Sequence, residues 1–261
     1  MPILGVIASS GVSHHLPSPP VSGYSGWLDA ADTATITKTG SAVTSWSNKG
    51  SLGNTFSQAT AAYQPVSGTT TQNSYNVIVY GANDGLVYSG SASDWNFLHN
   101  ASGSTIFLAF SNSTGVQGYF VSNNAGTSGQ IGTYWCQEAT YQMSNVTTKG
   151  TPGSYVINNT TASNVITSAF TYVTLIGDPA NATAANRSDY RIKQGSAIKN
   201  NTQTAAYTTS GASNPLVIGD VAAGSNLSFL GNMGEVLIYN SILSAGNILS
   251  TQQYLAAKWG V

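Results

Sequence analysis

The chain has 261 residues and a formal net charge of −1, from eight Lys or Arg and nine Asp or Glu. Charged residues make up 7% of it, against about 25% in globular proteins; this excludes the electrostatic footprint of a nucleic-acid or anionic-lipid binder. Apolar residues (41%) and aromatics (10%) still run along the whole length, so the chain is ordered rather than disordered, with a surface of uncharged Ser, Thr, Asn and Gly.

The chain opens with "MPILGVIASS". No Lys or Arg precedes the apolar run, which is short and broken by Gly5; it matches neither a secretory signal nor a membrane span. Ile3, Leu4, Val6 and Ile7 instead suit a strand buried on both faces. "SHHLPSPPVSG" follows, and Pro17, Pro19 and Pro20 favour an extended spacer. A buried-type strand on a stiff tether reads as a docking arm for a neighbouring sheet. The alternative is a first strand of the chain's own domain. His14 and His15 are adjacent and point opposite ways on a strand, so they make no metal site by themselves. The expected organisation is an arm and spacer over 1–23 and one domain over 24–261.

Beyond residue 23, short β segments alternate with Gly, Asn, Ser and Thr turns. Strands are predicted at 104–112, 117–124, 129–137, 139–146, 153–159, 171–178, 189–195, 215–221 and 234–241. Regular short strands of this kind indicate a β-sandwich or barrel. Arg187, Arg191, Lys193 and Lys199 form the one basic stretch, mixed with Asp189. It reads as a solvated strand, with a phosphate or anionic-glycan contact as the alternative. One helix closes the chain: Ser244 is its N-cap, Ile248, Leu249, Gln252, Leu255 and Ala256 its buried face, and Gly260 its C-cap.

The single cysteine, Cys136, excludes an intramolecular disulfide and reads as a small buried hydrophobe. The Asn-x-Ser/Thr sequons at Asn112, Asn145, Asn181 and Asn226 carry no weight in a chain so rich in these residues.

Two stretches carry a resemblance. Residues 26–66 contain Leu28-Asp29-Ala30-Ala31-Asp32, a Trp46 strand, an Asn48-Lys49-Gly50 turn and a Gln58 to Pro65 segment. Residues 216–261 contain Gly234-Glu235-Val236, Tyr239-Asn240, Leu243-Ser244 and Lys258-Trp259-Gly260. Both resemble the opening and closing units of concanavalin A-like, laminin-G-type jelly-roll domains. Residues 77–90 match the same family more loosely, and 91–215 only as generic β. The resemblance implies an all-β jelly-roll β-sandwich with an extended N-terminal arm and a short C-terminal helix. The uncharged surface and the "LGVIASS" start are similar in style to tailed-bacteriophage virion proteins. That likeness implies a capsid decoration or a tail-fibre or adhesin component, made in the host cytoplasm without a signal peptide. Its partners would be major capsid or tail proteins, further copies of itself as a homo-oligomer or trimer, and a host surface glycan, with no nucleic acid and no membrane insertion.

The resembled superfamily includes glycoside hydrolases, which need two carboxylates flanking the scissile bond, about 5–5.5 Å apart for retention. The chain has two glutamates, Glu138 and Glu235, far apart in sequence. Glu235 reads as a structural strand position, and Asp29 and Asp32 as turn and helix caps. No catalytic residue is assigned, and no enzyme is expected. Calcium would want several oxygen ligands; Asn83 with Asp84, and Asp178 with Asn181, are the candidate pairs, and no cofactor is assigned. Trp27, Trp46 and Trp259 read as core. Trp95, flanked by Asp94 and Asn96, and Trp135 are the candidate glycan contacts, with burial as the alternative. A free bacterial carbohydrate-binding module is the second functional reading, and a glycosidase the third.

Overall fold

The computed structural model describes residues 16–221 and 224–261. The docking-arm residues Ile3, Leu4, Val6 and Ile7, like His14 and His15, lie outside the described residues. In chain order the strands are β1 (Tyr24–Asp29), β2 (Ile36–Thr39), β3 (Ala42–Ser47), β4 (Thr55–Ser57), β5 (Val66–Gln72), β6 (Tyr75–Tyr80), β7 (Leu86–Tyr88), β8 (Ser104–Asn112), β9 (Gly118–Ser122), β10 (Ile131–Glu138), β11 (Gln142–Lys149), β12 (Tyr155–Thr160), β13 (Thr171–Gly177), β14 (Ser188–Ile192), β15 (Val217–Ile218) and β16 (Gly231–Tyr239). Helix α1 (Ala245–Trp259) closes the chain.

Every paired strand is antiparallel. The hydrogen-bonded path runs β12-β11-β10-β9-β15-β7-β4-β3-β5-β6-β16-β8-β13-β14, with β1 on β16 and β2 on β3. Its two end strands, β12 and β14, are joined through a side chain rather than by backbone pairing. There the Tyr190 hydroxyl donates to the Asn159 carbonyl at 2.7 Å. The result is an antiparallel sandwich, close to a barrel, that fits a jelly roll.

Side-chain alternation separates the two larger of three buried clusters among the described residues. On β8, Ile106, Leu108 and Phe110 face the space between the sheets, with Trp46, Trp95, Trp135, Phe120 and Phe229. Phe107 and Ala109 face outward, and α1 covers them together with Trp27, Tyr172, Leu237 and Trp259. This is why all nine residues of β8 are buried, its polar ends Ser104, Thr105, Ser111 and Asn112 included, and why Ile106 to Phe110 is apolar on both faces.

Helix α1 begins at Ser244, whose Oγ accepts from Asn247 N–H at 3.3 Å, and ends at Gly260 in the left-handed region (φ 69°). Ile248, Gln252, Leu255 and Trp259 form its buried seam. Leu249, expected on that face, is 43% exposed, because one residue beyond Ile248 turns about 100° away from the seam. Gly234 lies under the helix end: a Cβ there would meet the Trp259 ring at 2.8 Å.

A buried charge knot ties the two chain ends together. Lys258 Nζ, with no solvent access, lies 2.7 Å from Asp29 Oδ1 and 2.9 Å from Glu235 Oε2. The Glu235 carboxylate also accepts from Trp27 Nε1 (2.8 Å), Tyr254 OH (2.8 Å) and Trp259 Nε1 (3.0 Å). Burial pushes the Glu235 carboxyl above the usual carboxylate range; Lys258 pulls it down and Asp29 raises it further. Asp29 therefore does more than cap a turn. It accepts Ala31 N–H at 3.1 Å and shares the lysine, while Asp32 pairs with Lys49 at 2.6 Å.

The proline-rich stretch does not stand off as a spacer. Pro19 is buried, the Tyr239 hydroxyl donates to the Val21 carbonyl at 2.8 Å, and Tyr254 OH lies 3.2 Å from the Pro17 carbonyl. The chain is thus seated on the sandwich from Pro17 onward.

Replacing Lys258 with Met leaves Asp29 and Glu235 buried without their cation. The expected loss is about 3–5 kcal/mol of stability, measured by urea denaturation; a loss below about 1 kcal/mol would mean that solvent reaches both carboxylates.

Candidate functional site

Beside β14 lies a cavity of about 250 Å³, lined by residues from β13, β14, the loops on either side and the start of α1. Strand pairing explains how its polar residues meet. Ser188 and Tyr190 point inward, so Asp189 and Arg191 share the outer face. Beyond β14, Ile198 bridges to Tyr190 as a one-residue extension of the sheet. That bridge sets Lys199 opposite Asp189 on the same outer face. Asp178 and Asn181 come from the turn after β13, and Asn186 from the turn before β14. The apolar base is Ile176, Ile242, Leu243, Ala245 and Ile248.

Arg191 grips Asp189 through two donors, Nε at 3.2 Å and Nη2 at 2.9 Å, both on Oδ2. Asp189 is 3% exposed, and its Oδ1 is buried with no hydrogen-bond partner among the described residues. Asn181 Nδ2 donates to Asp178 Oδ2 at 2.8 Å, and Lys199 Nζ donates to Asn186 Oδ1 at 3.2 Å. A concave patch with an apolar base and a few convergent polar groups is the usual form of a small-ligand site.

The loop after β14 that delivers Lys199 is pinned at several points. Asn201 Oδ1 accepts Asn158 N–H at 3.1 Å, and Arg187 Nη1 donates to the Ala205 carbonyl at 2.8 Å. Ala212 N–H donates to Asn96 Oδ1 at 2.9 Å. His99 is 2.9 Å from the Ser210 carbonyl through Nε2, so that nitrogen carries the proton. Burial holds the His99 imidazole below its ordinary pKa.

The expected glycan contacts lie elsewhere and serve the fold. Trp95 is fully buried, edge-on to Tyr88 with ring centroids 5.2 Å apart. Trp135 is 1% exposed and edge-on to Tyr190 at 5.3 Å. Neither offers a sugar a ring face. Asp94 closes a capping box with Ser91 and accepts from Tyr88 OH at 3.1 Å. Asn96 is the anchor for Ala212. The polar flanks of Trp95 are thus a helix cap, Asp94, and a loop anchor, Asn96, which mimic a solvent-facing setting in the sequence.

The calcium candidates close their own turns. Asp84 Oδ2 accepts Gly81 N–H at 2.6 Å, with Asn83 at φ 70°; Asp178 and Asn181 bond each other. Among the described residues, no group of three or more His, Cys, Asp or Glu is placed to hold a metal. Glu138 accepts from Gln117 Nε2 at 2.9 Å and lies 3.4 Å from Cys136 Sγ; that thiol is buried and raised well above its ordinary pKa, chiefly by desolvation. Among the described residues no helix is long and apolar enough to cross a membrane.

No family model matches the chain, and no curated protein matches it. Solved structures do. A Trypanosoma rangeli sialidase in complex with 2,3-difluorosialic acid is similar over 98% of this chain and 36% of its own, with a TM-score of 0.55 and 12% identity. The CBM40 of the Ruminococcus gnavus IT-sialidase, bound to α2,3-sialyllactose, is similar over 67% of this chain and 95% of its own, with a TM-score of 0.51 and 14% identity. The fold is an all-β, antiparallel β-sandwich of the jelly-roll type. The chain spans little more than a third of that sialidase and nearly all of the CBM40 domain.

Two outcomes check these roles. Trp95→Ala should cost about 3–5 kcal/mol of stability by urea denaturation, as an emptied core site does; a fully stable variant would contradict the core role. Because the folded-state pKa of His99 lies below its unfolded value, the unfolded chain binds more protons, and stability falls as pH drops from about 6.5 towards the lowered folded value. His99→Gln should flatten that fall in urea midpoints measured across the window.

Proposed function

We propose that the chain is a non-enzymatic, lectin-like module that binds glycan in the cavity beside β14. The observation that carries this reading is the cavity itself. Asp178, Asp189, Arg191, Lys199, Asn181 and Asn186 converge over an apolar base on a lectin-like sandwich. Sugars need such a mixture, because each hydroxyl both donates and accepts while the ring carbons seek apolar contact. The neighbouring CBM40 structure, bound to a sialylated sugar, supports glycan binding as the class of activity. The non-enzymatic part is supported by Glu235, whose two oxygens already accept from four donors. A glycan array with the full chain should give binders at micromolar to millimolar affinity, and Arg191→Ala combined with Lys199→Ala should abolish them. Turnover of a bound glycan would contradict the non-enzymatic reading.

The proposed setting is a virion surface, as a capsid decoration or a tail-fibre or adhesin component, attached through the arm and able to form homo-oligomers. What supports it is the uncharged polar composition and the apolar arm of the sequence. Because Pro17, Pro19 and Val21 are seated on the sandwich, the informative truncation starts at Leu16. Light scattering of both forms, and binding to particles depleted of the protein, should show assembly or docking by the full chain alone. Equal behaviour of the two folded forms would overturn the arm.

A further inference from the structure

The three ions of the buried knot also have the arrangement of a condensation site. Lys258 Nζ has no solvent access and lies 2.7 Å from Asp29 Oδ1, the oxygen bonded to the carbon it would attack. It also lies 2.9 Å from Glu235 Oε2, and Asp29 and Glu235 face each other in the β1–β16 pairing. The two Asp29 oxygens are unequal. Oδ1 accepts the Ala31 N–H at 3.1 Å as well as the lysine. Oδ2 is buried without a hydrogen bond, 4.0 Å from Lys49 Nζ. Charges buried in this way gain by neutralisation. A desolvated amine is a nucleophile once it has lost its proton. Packing of α1 on β16 and β1 holds amine and carboxyl together at high effective concentration. Burial raises the Glu235 carboxyl, which brings it nearer to a group that both takes and releases protons at neutral pH.

We infer that Lys258 and Asp29 condense into an intramolecular amide, an isopeptide bond that joins β1 to α1, with Glu235 as the proton carrier. The step balances without a co-reactant. Glu235 takes a proton from the Lys258 ammonium, and the free amine attacks Asp29 Cγ. Negative charge gathers on Oδ1, where the Ala31 N–H receives it. The Cγ–Oδ2 bond then breaks. Each of the two protons that nitrogen gives up travels through Glu235 to the departing oxygen, so one water leaves and Glu235 ends as it began. Oδ2 lies on the side of Lys49, whose side chain is 25% exposed, which gives that water a way out. The product keeps its partners: the new amide N–H donates to Glu235 Oε2, and the former Oδ1 retains the Ala31 N–H. Two of three buried charges disappear. A chain with one cysteine has no disulfide within itself; this bond is its covalent staple, between residues 229 apart. As a single self-modification without turnover, it is independent of the glycan reading.

Mass spectrometry of the denatured full chain reads the bond directly. The expected intact mass is below that of the sequence by one water. A protease digest should yield the segments around Asp29 and Lys258 as one branched peptide, which fragmentation joins at those two side chains. A linked fraction that grows as freshly folded protein is incubated supports the bond equally. Lys258→Met and Asp29→Ala should each restore the full sequence mass. Glu235→Gln should stay unlinked, or link many-fold more slowly, with the circular dichroism spectrum of the folded chain. Should Glu235→Gln fail to fold, the wild-type mass and the branched peptide decide alone. The full sequence mass in wild type after prolonged incubation overturns the inference and leaves the knot as an ion triad. Loss of one water without a branched peptide places the dehydration elsewhere, for example as a succinimide at Asp84-Gly85, and overturns it too. A branch at Glu235 in place of Asp29 overturns the assignment of the acceptor, and a folded Glu235→Gln that links at the wild-type rate overturns the proton carrier.

Discussion

A lysine with no access to water lies between two carboxylates that also have none, and the rest of the sandwich is arranged around that fact. Removing three charges from solvent is tolerable only when each finds close partners. Lys258 finds Asp29 from the first strand and Glu235 from the last, and Glu235 is further bound by the indole N–H groups of Trp27 and Trp259. The Lys258 and Trp259 contacts are lost if α1 shifts on β16, and the Asp29 and Trp27 contacts if β1 leaves β16. The knot therefore specifies how the beginning and end of the domain meet. It also fixes the helix start, since a rigid helix held at its last turn and seamed along Ile248 to Trp259 leaves its first turn little choice of position.

That first turn forms one wall of the cavity. Ile248 and Ala245 come from α1, Asp189 and Arg191 from β14, and Lys199 from a loop bridged to β14. The charged residues are thus held by backbone pairing on one side and by a packed helix on the other. The proposed ligand would meet side chains that are already ordered, which lowers the entropy cost of binding.

Much of the fold was legible because the physics was local. The run 106–110, Ile-Phe-Leu-Ala-Phe, is apolar on both faces and forms the middle of the doubly buried β8; Ser244 and Gly260 bracket the helix by their capping chemistry. The resemblance of the two chain ends placed Glu235 as a structural residue, and its four donors bear that out. What stayed hidden depends on distant partners. Nothing around Lys258 in the sequence announces burial, since Asp29 is 229 residues away. Trp95 sits among Ser, Asp, Asn and His, which looked like a wet surface; those polar groups turned out to be caps and loop anchors around a buried ring. The cavity was half visible. Arg191, Lys199 and Asp189 stood out as a mixed-charge stretch, and Asp178 and Asn181 as oxygen donors. Their union required the Ile198 bridge, which a loop without strand character does not advertise, and the apolar base required knowing where the helix lands.

The seating of Pro17 to Val21 sets where a mechanical load would enter the domain. Tension on the chain ahead of Leu16 reaches first the Tyr254 hydroxyl on α1 and then the Tyr239 hydroxyl on β16. Tyr254 hands it to Glu235 and so to the lysine knot, and the antiparallel β1–β16 pairing takes what remains. The pull is divided between the helix and the central strand before any edge of the sheet is loaded. The cavity, walled by the opposite end of that helix, is therefore mechanically downstream of the anchor point, and a force that opened the knot would loosen the helix that forms the pocket wall.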